Sequence, residues 1–65
     1  MITSNLKAMM VQKGVTLKRM AEDTGLAEMT LIRARRKQIV YCRLCTLAIM
    51  AEYLGVKTKD LYEEV

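Results

Sequence analysis

The chain has 65 residues, a net charge of +4 and an apolar share of 52%, enough for one small domain whose core is thin. No apolar run approaches the roughly 18 residues of a membrane span, and no basic, apolar, small-residue succession of a signal peptide opens the chain. With no His, no phosphate-cradling glycine loop and no paired carboxylates in a plausible cleft, enzyme chemistry, a small-molecule substrate and a cofactor are not expected.

Charge is unevenly spread: residues 1–43 carry nine Lys or Arg against three acids, while residues 44–65 carry two against four. A basic part of +6 beside an acidic part of −2 suggests one face for a polyanion and another for something else. Aromatic residues are scarce and Pro, Trp and Phe are missing, so Leu, Met, Ile and Val must fill the core, a composition that favours helices.

Taken in chain order, the pattern predicts five short helices and no strand. Leu6, Met9, Met10 and Lys13 keep helical spacing over about 4–13, with Ser4 as the expected N-cap and Gly14 as the stop. Thr16 is placed to cap a second helix over about 17–24, ended by Gly25. A third helix is expected over about 27–36, a fourth over 43–54 with the stripe Leu44, Leu47, Met50, Ala51 and Leu54, and a fifth over 59–64 capped by Thr58. Gly55 ends the fourth, and Val15 and Val56 stand where they can pack back after the two glycines.

Within Thr16–Arg36 the apolar positions Met20, Ala21, Leu26, Leu31 and Ala34 suit two helices crossing closely around a tight turn at Gly25. Counted at about 100° per residue from Leu31, Ala27, Ala34 and Gln38 face inward while Met29, Ile32, Arg33 and Arg36 cluster outward. Arg33 and Arg36 can each donate two hydrogen bonds to guanine or bind phosphate. Ile32 or Met29 can touch a thymine methyl, and Glu28 can accept from cytosine or favour the helix start.

The run Met20-Ala21-Glu22-Asp23-Thr24-Gly25-Leu26, then Thr30-Leu31 and Arg33, resembles the helix-turn-helix of the lambda repressor and Cro (Xre-type) family. Leu44-Cys45-Thr46-Leu47, Met50 to Val56 and Asp60-Leu61-Tyr62 resemble the fourth and fifth helices of the same family, so the likeness spans about residues 5–62. It implies an all-α, compact five-helix bundle of the lambda-repressor-like type, residues 1–65 forming one DNA-binding domain, with helices 2 and 3 as the helix-turn-helix. It further implies a small cytoplasmic transcription regulator, a repressor by expectation, that binds double-stranded DNA as a homodimer. Helix 27–36 would lie in the major groove, with Glu28, Met29, Ile32, Arg33 and Arg36 on bases and Thr16, Lys18, Arg19, Thr30, Lys37 and Arg43 on phosphates.

Three departures bear on that contact map. Leu17 stands where the family usually has Gln, Arg35-Arg36-Lys37 stands where an acidic-Asn-Gly ending is common, and Gln38 to Cys42 stands where a Pro often precedes the fourth helix. The second departure leads to the expectation of a longer third helix that grips the backbone harder.

Apolar residues left over near the end of the chain, Ile39, Val40, Tyr41, Tyr62 and Val65, suggest dimerisation. Four of the six methionines, Met9, Met10, Met20 and Met50, fall on core positions, and Met29 alone is read as facing outward. Cys42-Arg43-Leu44-Cys45 is a C-x-x-C that one chain cannot complete into a four-ligand metal site. Plain structural cysteines are the first reading, with a redox pair or a zinc site across a dimer axis as the other. The rival reading of the whole chain is a protein-interaction module, antitoxin-like or regulator-binding, on the same fold.

Overall fold

A computed structural model describes residues Met1–Val65 as four α-helices, two 3-10 segments and one two-stranded ribbon. The first strand, β1 (Ile2–Ser4), is followed by α1 (Leu6–Lys13), α2 (Leu17–Thr24) and α3 (Glu28–Ala34). A 3-10 segment, Lys37–Tyr41, leads into α4 (Leu44–Leu54). A second, Thr58–Leu61, leads into β2 (Tyr62–Glu64), which pairs antiparallel with β1, Ile2 opposite Glu64 and Ser4 opposite Tyr62.

The expected five-helix, strand-free bundle is therefore corrected at both ends. Residues 59–64 do not form a fifth helix, because Asp60 accepts from the Lys57 amide at 3.0 Å and closes a short 3-10 turn. From Tyr62 onward the extended backbone finds a partner in β1, and the ribbon is extended by a bond from the Val65 amide to the Met1 carbonyl at 2.8 Å. Ser4 belongs to that ribbon, and Asn5, not Ser4, stands at the start of α1.

One apolar cluster holds the elements together. Leu6 and Met10 of α1, Met20 of α2, Leu31 and Ala34 of α3, Ile39, four residues of α4 and Leu61 are its buried members. No polar or charged residue is fully buried, so the core asks for no internal hydrogen-bond partner beyond the backbone's own. Within α4 the buried set is Leu47, Met50, Ala51 and Leu54. Leu44, expected on the same stripe, is 68% exposed because the helix begins there and its first turn overhangs the core. Val15 and Val56 do pack back after their glycines, each amide bonding to a carbonyl of the helix just ended.

The α2–α3 pair is the part that positions the site. Thr16 accepts from the Arg19 amide at 3.2 Å and caps α2 as the sequence predicts. Gly25 takes φ +74°, a left-handed conformation that costs a residue with a Cβ about 1–2 kcal/mol, and its amide closes α2 on the Ala21 carbonyl. Thr24 ties the turn further: its hydroxyl donates to Met20 and accepts from the Leu26 amide. Three residues, Gly25 to Ala27, then carry the chain into α3.

Candidate nucleic-acid interface

α3 is seven residues long and buries only Leu31 and Ala34. Its outward side presents Glu28, Met29 and Arg33, with Met29 55% exposed. Ile32 is half-buried, less free than the helical count implied. Ala27 and Gln38, counted as inward, are exposed, since Ala27 precedes the helix and Gln38 follows it.

The helix also stops two residues earlier than expected. Arg35 remains near helical backbone, but Arg36 is extended (φ −122°, ψ −174°), so Arg36 leaves the helical face on which the count had placed it. The expectation of a longer third helix is overturned: burial of Ile39 at 2% exposure requires the chain to turn back toward the core. Ile39 is thereby a core residue, not a surplus apolar one, and Tyr62 likewise packs partly on the core.

Two polar clefts each hold two basic residues. The first, of about 320 Å³, opens between α3, the Lys37–Tyr41 segment and the start of α4, and brings together Thr30, Arg33 and Arg43 with Gln38, Tyr41 and Thr46. Its walls carry two guanidinium groups and no carboxylate, so it favours an anion. The second, about 440 Å³ and more open, gathers Thr16, Lys18 and Arg19 at the start of α2, with Glu22 at its edge. Lys37 is exposed but stands outside both.

Arg19 is not a free cation. Its Nε donates to Asp23 Oδ2 at 3.0 Å, and the Tyr53 hydroxyl of α4 donates to the same oxygen at 2.6 Å. The Tyr53 and Arg19 hydrogen bonds hold the Asp23 carboxyl below its ordinary range, and the same contact raises the Tyr53 hydroxyl and the Arg19 guanidinium above theirs. The remaining guanidinium donors of Arg19 stay available for phosphate. Arg19 and Asp23 stand at the i,i+4 spacing of a helical ion pair, a signal readable from sequence; Tyr53, thirty positions further on, gives no such signal.

Gln38, Tyr41, Cys42 and Thr46 are the cleft residues that the sequence alone does not assign to the interface. Only the fold brings the 3-10 segment and the first turn of α4 against α3. The two cysteines go separate ways. Cys42 packs partly against the core with its thiol toward the Gln38 carbonyl at 3.9 Å, while Cys45 is exposed. Burial pushes the Cys42 thiol up, with nearby Arg33 pulling slightly the other way, which favours the unreactive protonated form.

Cys42 also forms part of a third surface, an apolar groove of about 220 Å³ whose other walls include Ile2, Val40, Leu44 and Tyr62.

Two helices crossed over a three-residue turn, the second presenting an arginine and an exposed methionine beside carboxylate-free basic walls, define a helix-turn-helix DNA-binding protein. The chain belongs to the family of Cro/C1-type HTH DNA-binding domains, whose model matches residues 5–65. Comparison with curated proteins and with solved structures finds no further match.

Proposed function

We propose that the protein is a sequence-specific transcriptional regulator, a small repressor acting in the cytoplasm, that lays α3 in the major groove of operator DNA. The observation that carries this reading is the convergence of Arg33, Arg43 and Thr30 on one carboxylate-free cleft directly beside the exposed face of α3. In the mechanism it supports, Arg33 reads a guanine edge with two hydrogen bonds, while Met29 and the exposed part of Ile32 meet thymine methyls. Glu28, at the first turn of α3, is aimed at a cytosine amine.

Phosphate contacts follow from the two clefts. Thr30 and Arg43 hold the backbone on one side of α3's reading face, and Thr16, Lys18 and Arg19 form the other set. Arg36 and Lys37, on extended backbone and the 3-10 segment after the helix, are better placed to follow the backbone than to read bases. Arg36 thus moves from the base-reading to the phosphate-binding group.

A second copy of the chain is the partner proposed for the apolar groove. Its walls hold no charge, and Met1, Val40, Leu44 and Val65 are all at least half exposed. The molecule is 30 Å along its longest axis, so two copies related by a two-fold axis can bring their α3 helices near the roughly 34 Å separation of successive major-groove faces. Residues 1–65 then act as one DNA-reading unit of a dimer on a palindromic site.

The test is fluorescence anisotropy with mixed and genome-derived duplexes at two salt concentrations, wild type beside Arg33→Ala. Salt-sensitive binding that weakens by roughly 5- to 150-fold in the variant is expected for a base-reading arginine. No binding to any duplex at low salt would overturn the regulator reading and support a protein-interaction module on this fold.

A further inference from the structure

Three of the four helices stop on a glycine in left-handed backbone, but α3 does not. Its continuation, Ala34-Arg35-Arg36-Lys37-Gln38, consists of good helix formers, so local propensity favours winding on past Ala34. In a continuing helix the Ala34 carbonyl would accept from the Gln38 amide. Here it accepts instead from the Ser4 hydroxyl, thirty residues earlier in the chain. Ala34 is fully buried in the intact chain, and the Ser4 hydroxyl is the donor that meets its carbonyl.

Ser4 is fixed from two other directions. Its Oγ accepts from the Leu6 amide at 3.2 Å, and its backbone is held opposite Tyr62 in the ribbon. A hydroxyl can donate and accept at once, which is what these two bonds demand. The ribbon, through one oxygen atom, therefore joins the start of α1 to the end of α3.

We propose that Ser4 is a positioning residue for DNA reading: its hydroxyl fixes the end of α3 at Ala34, sends Arg36 off the helical face and so separates the base-reading Arg33 from the backbone-following Arg36. This rests on α3 being the DNA-reading helix. Without the hydroxyl, helix propensity draws Arg36, the one extended residue between helical Arg35 and the 3-10 segment, toward helical backbone and returns it to the face it shares with Met29 and Arg33 by helical count. Backbone affinity is then retained while discrimination between sequences falls.

The experiment compares wild type, Ser4→Ala and Ser4→Thr by backbone 13C shifts at residues 35–38. It also measures the ratio of affinities for a duplex selected from a random pool and for poly(dI-dC). Ser4→Ala is expected to shift the 13C signals of Arg36 in the helical direction and to lower the affinity ratio roughly tenfold; Ser4→Thr, which keeps the hydroxyl, restores both. Unchanged 13C shifts in Ser4→Ala, or equal changes in Ser4→Thr, would overturn the assignment. If the wild type binds neither duplex, the DNA reading itself fails and the 13C shifts alone still decide whether Ser4 ends α3. Should Ser4→Ala not fold, the wild-type protein decides: a Ser4 hydroxyl proton protected from solvent exchange supports the assignment, and one exchanging freely with water refutes it.

Discussion

Residues 38–47 build two adjoining surfaces of opposite character. Gln38, Tyr41, Arg43 and Thr46 line the basic cleft beside α3, while Ile39, Val40, Leu44 and Leu47 line the apolar groove, with Cys42 in the wall of both. The 3-10 segment and the first turn of α4 send successive side chains to different sides, so a stretch of ten residues lines both a cationic cleft and an apolar groove. The contrast explains the charge asymmetry better than a simple split by chain position does. Lys18 and Arg19 at the start of α2 and Arg33 and Arg43 beside α3 line the two polar clefts, and the groove's walls carry no charge at all.

If the two surfaces are separate in function, each can be broken without the other. The largest effect is expected from Leu44→Asp, which places a carboxylate in the apolar groove at a position 68% exposed in one copy. Light scattering is expected to show a dimer in the wild type and one subunit in the variant, with far-UV circular dichroism unchanged. An unaltered mass would remove the groove from the interface. Arg43→Ala acts on the other side and more gently: it is expected to weaken all duplexes alike and to reduce the slope of log affinity against log salt by about 1, with no change in subunit mass.

The smallest effect tests the link between α2 and α4. The Asp23 carboxyl is held below its ordinary value, so its stabilising contribution is fully present above the unfolded value of about 3.9 and is lost as pH falls through its lower folded value. Thermal melting should therefore show no Asp23-dependent change between pH 7 and pH 5. The wild type should then lose stability relative to Asp23→Asn as acid is added below the ordinary carboxylate range. Parallel curves for the two proteins throughout would show that the Tyr53–Asp23–Arg19 chain contributes nothing to folding, as many exposed ion pairs do not.

The helix-turn-helix was legible because two apolar stripes, one glycine and one capping threonine act locally and agree. Met20, Leu31 and Ala34 are buried as their spacing predicts, and Thr16 and Gly25 bound α2 as expected. The terminal ribbon was not legible, because three residues per strand are too few to show an alternation and their pairing joins the two ends of the chain. The early stop of α3 was hidden for a related reason. Arg35, Arg36 and Lys37 speak for helix, and what overrules them, the Ser4 hydroxyl and the burial of Ile39, is tertiary. Among the residues of the proposed interface, Arg33 and Met29 were readable from helical count alone, whereas Tyr41, Gln38 and Thr46 join the cleft only through the packing of α4.

The most direct measurement is an NMR titration of the 15N-labelled protein with duplex DNA, followed residue by residue. Separate surfaces predict large amide perturbations at Met29, Arg33, Arg43 and Thr46 that saturate together, with Val40, Leu44 and Tyr62 unmoved. Perturbations centred on Val40, Leu44 and Tyr62, leaving Arg33 and Arg43 in place, would contradict the assignment of the basic cleft to DNA.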